Sequence, residues 1–158
     1  MSSDDSQWRG VGGLVATIGV ILSLIFVGME LRQSTVISRA QTRQGLADRN
    51  GDLISSIAQN PELARAWGIM WRERLDSIPL THTDSTQANW AMFGMLRHVE
   101  NVYLQYLEGV VDESVLDSYG FRGNDNFEGA QFPDWWAPRR HRFDPRFVEE
   151  FEAEYGLR

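Results

Sequence analysis

There is no cysteine and no lysine among these 158 residues. Without cysteine the chain has no disulfide, no thiolate metal site and no thiol nucleophile. The absence says little about compartment. Without lysine, all 15 basic residues are arginine, which reads as a coding bias toward G+C-rich genes and not as chemistry. They face 22 acidic residues, for a net charge of −7. That balance argues against a nucleic-acid-binding surface. Glycine-rich phosphate loops, GxSxG and HExxH are all missing. Histidine is scarce, and none of His82, His98 or His141 has a glutamate three residues before it, as the ExxH pairs of di-iron bundles require. Three histidines in separate segments make a weak metal case, so neither a metal nor a cofactor is expected. No convincing strand, internal repeat or low-complexity tract stands out.

The chain does contain one long uncharged run. Residues 10–29 read GVGGLVATIGVILSLIFVGM, bounded by Arg9 and Glu30. As a helix rising about 1.5 Å per residue, this run is about 30 Å long, the thickness of a bilayer's hydrocarbon core. It reads as one transmembrane helix over 10–31. The competing reading is a buried core helix, disfavoured because the apolar character runs all round the helix and sits at the extreme N-terminus. The preceding tail, 1–9, is short and acidic and lacks the basic region of a signal peptide. No small-x-small site follows the run, so the anchor is expected to stay uncleaved. Arg9 alone precedes it, whereas Arg32, Arg39 and Arg43 follow closely. Positive residues favour the cytoplasmic side. The expected arrangement is therefore an inner-membrane, single-pass protein with its N-terminus outside and its C-terminal domain in the cytoplasm. Trp8 suits the outer interface.

Gly12, Ala16, Gly19 and Ser23 are spaced four, three and four apart, which puts them on one face. Small faces let helix backbones approach closely in lipid, and Ser23 could add a bond. The stripe reads either as a self-association seam, giving a homo-oligomer, or as the ordinary abundance of glycine in membrane helices.

Beyond the anchor the expectation is all-α. A helical extension over 32–58 carries Val36, Ala40, Ala47, Ile54 and Ile57 in a weak helical pattern. Gly45 and Gly51 each weaken a helix by about 1 kcal/mol relative to alanine, so a break is expected between them. A helical domain of four to five helices follows over 59–158. Asn60-Pro61-Glu62 starts one helix, with a cap, a proline at the first position and an acidic first turn. This helix should end near Ser77, before Pro79. Thr83 or Asp84 should cap the next, which runs to about Glu108 with Gly109 just past it. It is the most apolar segment after the anchor and should be the central helix. Asp112-Glu113 opens another through Val115 and Leu116. Pro133 and Pro138 limit regular structure, and Asp144-Pro145 starts a final helix that Gly156 ends.

The order of these features resembles a broad set of uncharacterised bacterial proteins with one membrane helix and a small cytoplasmic helical domain. The resemblance is carried by LRQST after the anchor, NPELARAW, HVENVYLQYLEGVVD, the paired Trp135 and Trp136, and RFDPRF. The ENxYxQYxxG stretch from Glu100 to Gly109 is its most distinctive part. No activity is established for that set. The resemblance therefore implies an architecture and transfers no catalytic residue.

Two constellations are candidates for function. His98, Asn101, Gln105 and Glu108 share one face of the central helix, which reads as a solvated face, a buried hydrogen-bonded network or a pocket. Glu100 lies on a more apolar face. Its burial would demand a cationic partner, from Arg97 one turn back or from Arg72 or Arg74. The second constellation is Trp135, Trp136, Arg139, Arg140, His141, Arg142 and Arg146. It could meet an acidic partner or lipid headgroups, since aromatic rings and snorkelling arginines suit a membrane interface. Alternatively both tryptophans dock on the core and the arginines pair with Glu149, Glu150 and Glu152. The leading expectation is a membrane-anchored interaction or scaffold module, meeting the lipid bilayer, an unknown protein partner and further copies of itself. The alternative is a membrane-tethered enzyme with a small polar pocket around His98, Glu100 and Asn101.

Overall fold

The computed structural model describes the backbone of residues 4–72 and 80–157 and the side chains of residues 17–71 and 80–157. Among these residues the chain is helical throughout, with no strand. The first helix, α1, runs Asp4–Ala58 without interruption. The break expected between Gly45 and Gly51 does not occur. Each glycine weakens the helix only by about 1 kcal/mol. Between them Leu46 is buried in the hydrophobic core, and Gln44 donates to Asp48 one turn on at 2.8 Å. Packing of one buried leucine outweighs the propensity loss.

By compactness the chain divides into two units, 1–41 and 42–158. The extension expected over 32–58 is divided by this boundary, and residues 42–58 belong to the second unit. In the first unit the described side chains are exposed all round the helix. Ile18, Val20, Ile21, Leu22, Leu24, Ile25, Phe26, Val27, Met29 and Leu31 are each about half exposed or more, Phe26 at 68%. Among the described residues α1 is the one helix long and apolar enough, by length and composition, to cross a membrane.

The second unit is assembled from capped helices. Helix α2 covers Pro61–Trp67, where Asn60 Oδ1 accepts the Leu63 N–H. It passes into a π-helical turn over Gly68–Arg72. The end expected near Ser77 falls outside the described residues. Helix α3 covers His82–Leu107 and begins two residues earlier than the sequence suggests. The cap is Thr81. Its hydroxyl accepts the Asp84 N–H while Asp84 accepts the Thr81 N–H, each at 3.1 Å. Asp84 is thus the returning half of a capping box and not the cap itself. It is buried and also ion-paired with Arg65 at 2.7 Å. Gly109 follows α3 with φ +69°, a conformation that glycine adopts without strain.

Helix α4 covers Glu113–Ser118, capped by Asp112, whose other oxygen pairs with Arg43. The segment with Pro133 and Pro138 forms a short helix, α5, over Phe132–Trp136, and a 3₁₀ turn over Arg140–Arg142. Helix α6 covers Pro145–Tyr155. Asp144 caps its start, and Gly156 closes its end at φ +61°. The domain beyond residue 59 thus contains five helices among the described residues.

Burial explains the assembly. Met92, Leu96, Val99 and Val102 of α3 are essentially inaccessible, as are Leu116, Phe121, Phe127, Phe132, Trp136, Phe147 and Phe151. Each such side chain contributes about 1.5–3 kcal/mol by leaving water. The rings interlock: Phe147 stacks on Phe151 at 5.0 Å, and Tyr103 stacks on Phe121 at 5.1 Å with planes 9° apart.

Candidate functional site

The polar face of α3 does not form one network. Asn101 and Glu108 are exposed, Gln105 is half-buried and His98 is 3% exposed. Among the described residues no hydrogen bond joins any two of these four side chains. Gln105 Oε1 has no partner, and neither do Nδ1 and Nε2 of His98. The imidazole instead packs edge-on to Tyr119, with ring centroids 5.2 Å apart. Burial, with a smaller contribution from the positive charge of Arg49, holds its pKa below the ordinary histidine value. It is therefore neutral near pH 7, with one ring N–H and one lone pair left uncommitted.

His98 and Asn101 both line a cavity of about 880 Å³ between the end of α1 and α3. Gly94 and Arg97 complete its α3 side. Asp48, Arg49, Asp52 and Ser56 supply polar groups from α1. The sequence reading missed these four. Their signal was present: Asp48, Asp52 and Ser56 recur every fourth residue, on one helix face. What spacing does not reveal is which helix that face meets. Gly94 faces Leu53 of α1, and a Cβ there would stand 3.7 Å from Leu53 Cδ2, an ordinary contact, so alanine would fit at this crossing. Chemically the lining offers carboxylates, guanidinium groups, an amide and a neutral imidazole, suited to binding a small polar solute. Among the described residues no three His, Asp or Glu side chains are grouped to hold a metal ion.

Glu100 does not line this cavity. It is buried, and its two oxygens are committed elsewhere. Oε2 accepts from Arg97 Nη1 at 2.7 Å, and Oε1 accepts the Asp144 N–H at 2.6 Å. Glu100 thereby ties α3 to the first turn of α6. Arg97 in turn lies over the rings of Phe93 and Phe143, 5.2 and 4.9 Å from their centroids. Arg97 is the partner that helical spacing names. The side chains of Arg72 and Arg74 lie outside the described residues.

In the second constellation, Trp135 and Trp136 are buried. Trp135 Nε1 donates to Asn89 Oδ1 at 2.6 Å, and Trp136 Nε1 donates to the buried Glu152 at 2.9 Å. Both rings therefore serve the core and are not free to enter a membrane interface. The arginines divide. Arg140 pairs with Glu152, and Arg146 with Asp144. Arg139 packs over the Trp135 ring at 4.8 Å and donates to the Trp135 carbonyl at 2.7 Å. Arg142 lies 5.9 Å from the Phe93 ring centroid. Neither Arg139 nor Arg142 has a carboxylate within ion-pairing distance among the described residues.

In the anchor, Gly19 and Ser23 are exposed, and the Ser23 hydroxyl donates to the Gly19 carbonyl at 2.8 Å. Its proton is spent within its own helix, so as long as that bond holds it offers a neighbouring helix only an acceptor. The exposure of Gly12 and the side chain of Ala16 lie outside what is described. No protein family, curated protein or solved structure matches this chain.

Proposed function

We propose that this chain is a membrane-anchored helical interaction module of the inner membrane, non-enzymatic and self-associating through its anchor. The observation that carries the reading is the first unit itself. A helix whose large apolar side chains are exposed on every side loses about 25 cal/mol for each Å² it shows to water. Lipid removes that cost while the backbone stays satisfied within the helix. The arginine asymmetry around the run supports an outside N-terminus and a cytoplasmic domain. The same architecture is implied by the resemblance to bacterial single-anchor proteins, among which we place this chain.

The enzyme reading needs His98, Glu100 and Asn101 to converge. The commitment of both Glu100 oxygens to Arg97 and to the start of α6 argues against it. The cavity beside His98 and Asn101 fits a module that binds a small polar solute as readily as one that turns it over. The test is topology. A periplasm-active reporter fused after Arg158 should be silent, and a cytoplasm-active one should work, with the chain resisting alkaline extraction from membranes. Extraction into the soluble fraction would overturn the anchor, and the reverse reporter pattern would overturn the orientation.

A further inference from the structure

Trp90, at 64% exposed, is the most exposed large hydrophobic side chain described in the helical domain. It lies edge-on to Phe93, 5.9 Å between centroids. The two rings share a groove of about 270 Å³ with Thr86, Asn89, Arg139 and Arg142. Among the described residues neither of these two arginines has a carboxylate partner, in a chain whose net charge is −7. Their neighbours Arg97, Arg140 and Arg146 are all ion-paired. The groove therefore concentrates uncompensated positive charge beside an exposed indole, on an otherwise acidic protein. Both guanidinium groups also rest on aromatic rings, which holds them in place before any ligand arrives.

We propose that this groove binds the headgroup of an anionic phospholipid, with Arg139 and Arg142 taking the phosphate and Trp90 entering the interface. The inference rests on the membrane-anchored reading, because a tethered domain meets lipid at high effective concentration. The groove is below the size of ordinary small-molecule pockets and matches a phosphate with its ester carbons. A free phosphate would use the arginines but give Trp90 no role. Tryptophan at headgroup depth, beside arginine, is the combination that a bilayer surface favours.

The test uses the full chain incorporated into nanodiscs of phosphatidylcholine, mixed with vesicles and separated by flotation. Vesicles containing about one third phosphatidylglycerol should carry the discs upward, and pure phosphatidylcholine vesicles should not. Arg139→Gln combined with Arg142→Gln should weaken flotation about thirty-fold, given what each cation contributes near an anionic surface. Arg142→Gln alone touches no buried group, so it reports even if Arg139→Gln disturbs the fold, and it should weaken flotation about five-fold. Trp90→Ala should weaken binding in both low and high salt, whereas the arginine effect should fade in high salt. Arg43→Gln removes the same charge elsewhere on the domain and should change nothing. Equal flotation with both vesicle types, or arginine variants that bind like the parent, would overturn the proposal. So would full displacement by millimolar inorganic phosphate or by polyglutamate, which would make the occupant a free anion or an acidic peptide. If the chain fails to enter nanodiscs, it is the anchor reading that fails, and flotation of the free chain with the same vesicles still decides the groove.

Discussion

Replacing Glu100 with alanine should destabilise the helical domain by about 3 kcal/mol, the lower end of what removing one partner of a buried ion pair costs. The structure sets the components. The Arg97 side chain is 45% exposed, so water takes over much of its solvation and the pair itself contributes at most about 1 kcal/mol. The Asp144 N–H, deprived of its acceptor at the start of α6, costs about 1–2 kcal/mol. Removing the buried methylene of the side chain adds about 1 kcal/mol. Glu100→Gln keeps an amide oxygen where Oε1 accepts the Asp144 N–H but turns its NH2 toward Arg97, losing the charge and the Arg97 hydrogen bond together. Because Arg97 is half exposed and can turn to water, this should cost about 1 kcal/mol. For a domain of this size each kcal/mol moves Tm by about 4 °C. Thermal unfolding of the full chain in nonionic detergent, followed by near-ultraviolet circular dichroism, should therefore fall by about 12 °C for alanine and about 4 °C for glutamine. In an Arg97→Ala background the cost of Glu100→Ala should shrink by no more than about 1 kcal/mol. Equal shifts for alanine and glutamine, or an alanine shift below about 2 °C, would refute the two-bond account of Glu100.

Other perturbations test the remaining features. His98 has a folded pKa below its unfolded value; as pH falls through about 6.5 the unfolded chain takes up a proton that the folded chain refuses, so stability should drop between pH 7 and pH 5.5. His98→Phe should flatten that part of a denaturant-melt pH series, and an unchanged slope would refute the neutral buried imidazole. Asp84→Ala breaks the capping box and leaves Arg65 unpaired, and should cost about 2 kcal/mol by chemical denaturation; a change under about 0.5 kcal/mol would refute the role given to that box. A Cβ at Gly19 meets nothing within 4 Å in its own chain, so Gly19→Leu should insert normally yet lower dimer formation in an in-membrane association reporter. Association equal to the parent would exclude the face carrying Gly12, Ala16, Gly19 and Ser23 as the contact.

Helix starts were the most legible part of this fold, because a cap is a local event. Asn60-Pro61, Asp112 and Asp144-Pro145 all act within three residues of themselves. Thr81 was less plain because its box works only as a pair, Thr81 with Asp84. The continuity of α1 was not legible, since the glycine penalty is local while the burial of Leu46 depends on distant residues. The same divide runs through the candidate sites. Arg97 could be named as a partner of Glu100 from helical spacing, but the Asp144 N–H lies 44 residues away. From sequence the paired tryptophans read as core or as interface, and only the distant partners of their indole N–H groups, Asn89 and Glu152, place them in the core. The exposure of Trp90 was not legible, because α3 is rich in apolar residues and only packing shows which of them stay uncovered.

The ring cluster near the C-terminus also bears on how the chain reaches this structure. Phe127, Phe132, Trp136, Phe147 and Phe151 meet at centroid separations of 5.0–6.4 Å. All five come from one short stretch of sequence, so bringing them together closes only small loops and sacrifices little chain entropy. The Asp144 N–H at the start of α6, by contrast, finds its acceptor only when Glu100 of α3 arrives. The C-terminal stretch should therefore collapse early as a folding nucleus, with α1 docking late. Phe147→Leu should mainly slow refolding, giving a φ-value above about 0.5, and Leu46→Ala should mainly speed unfolding.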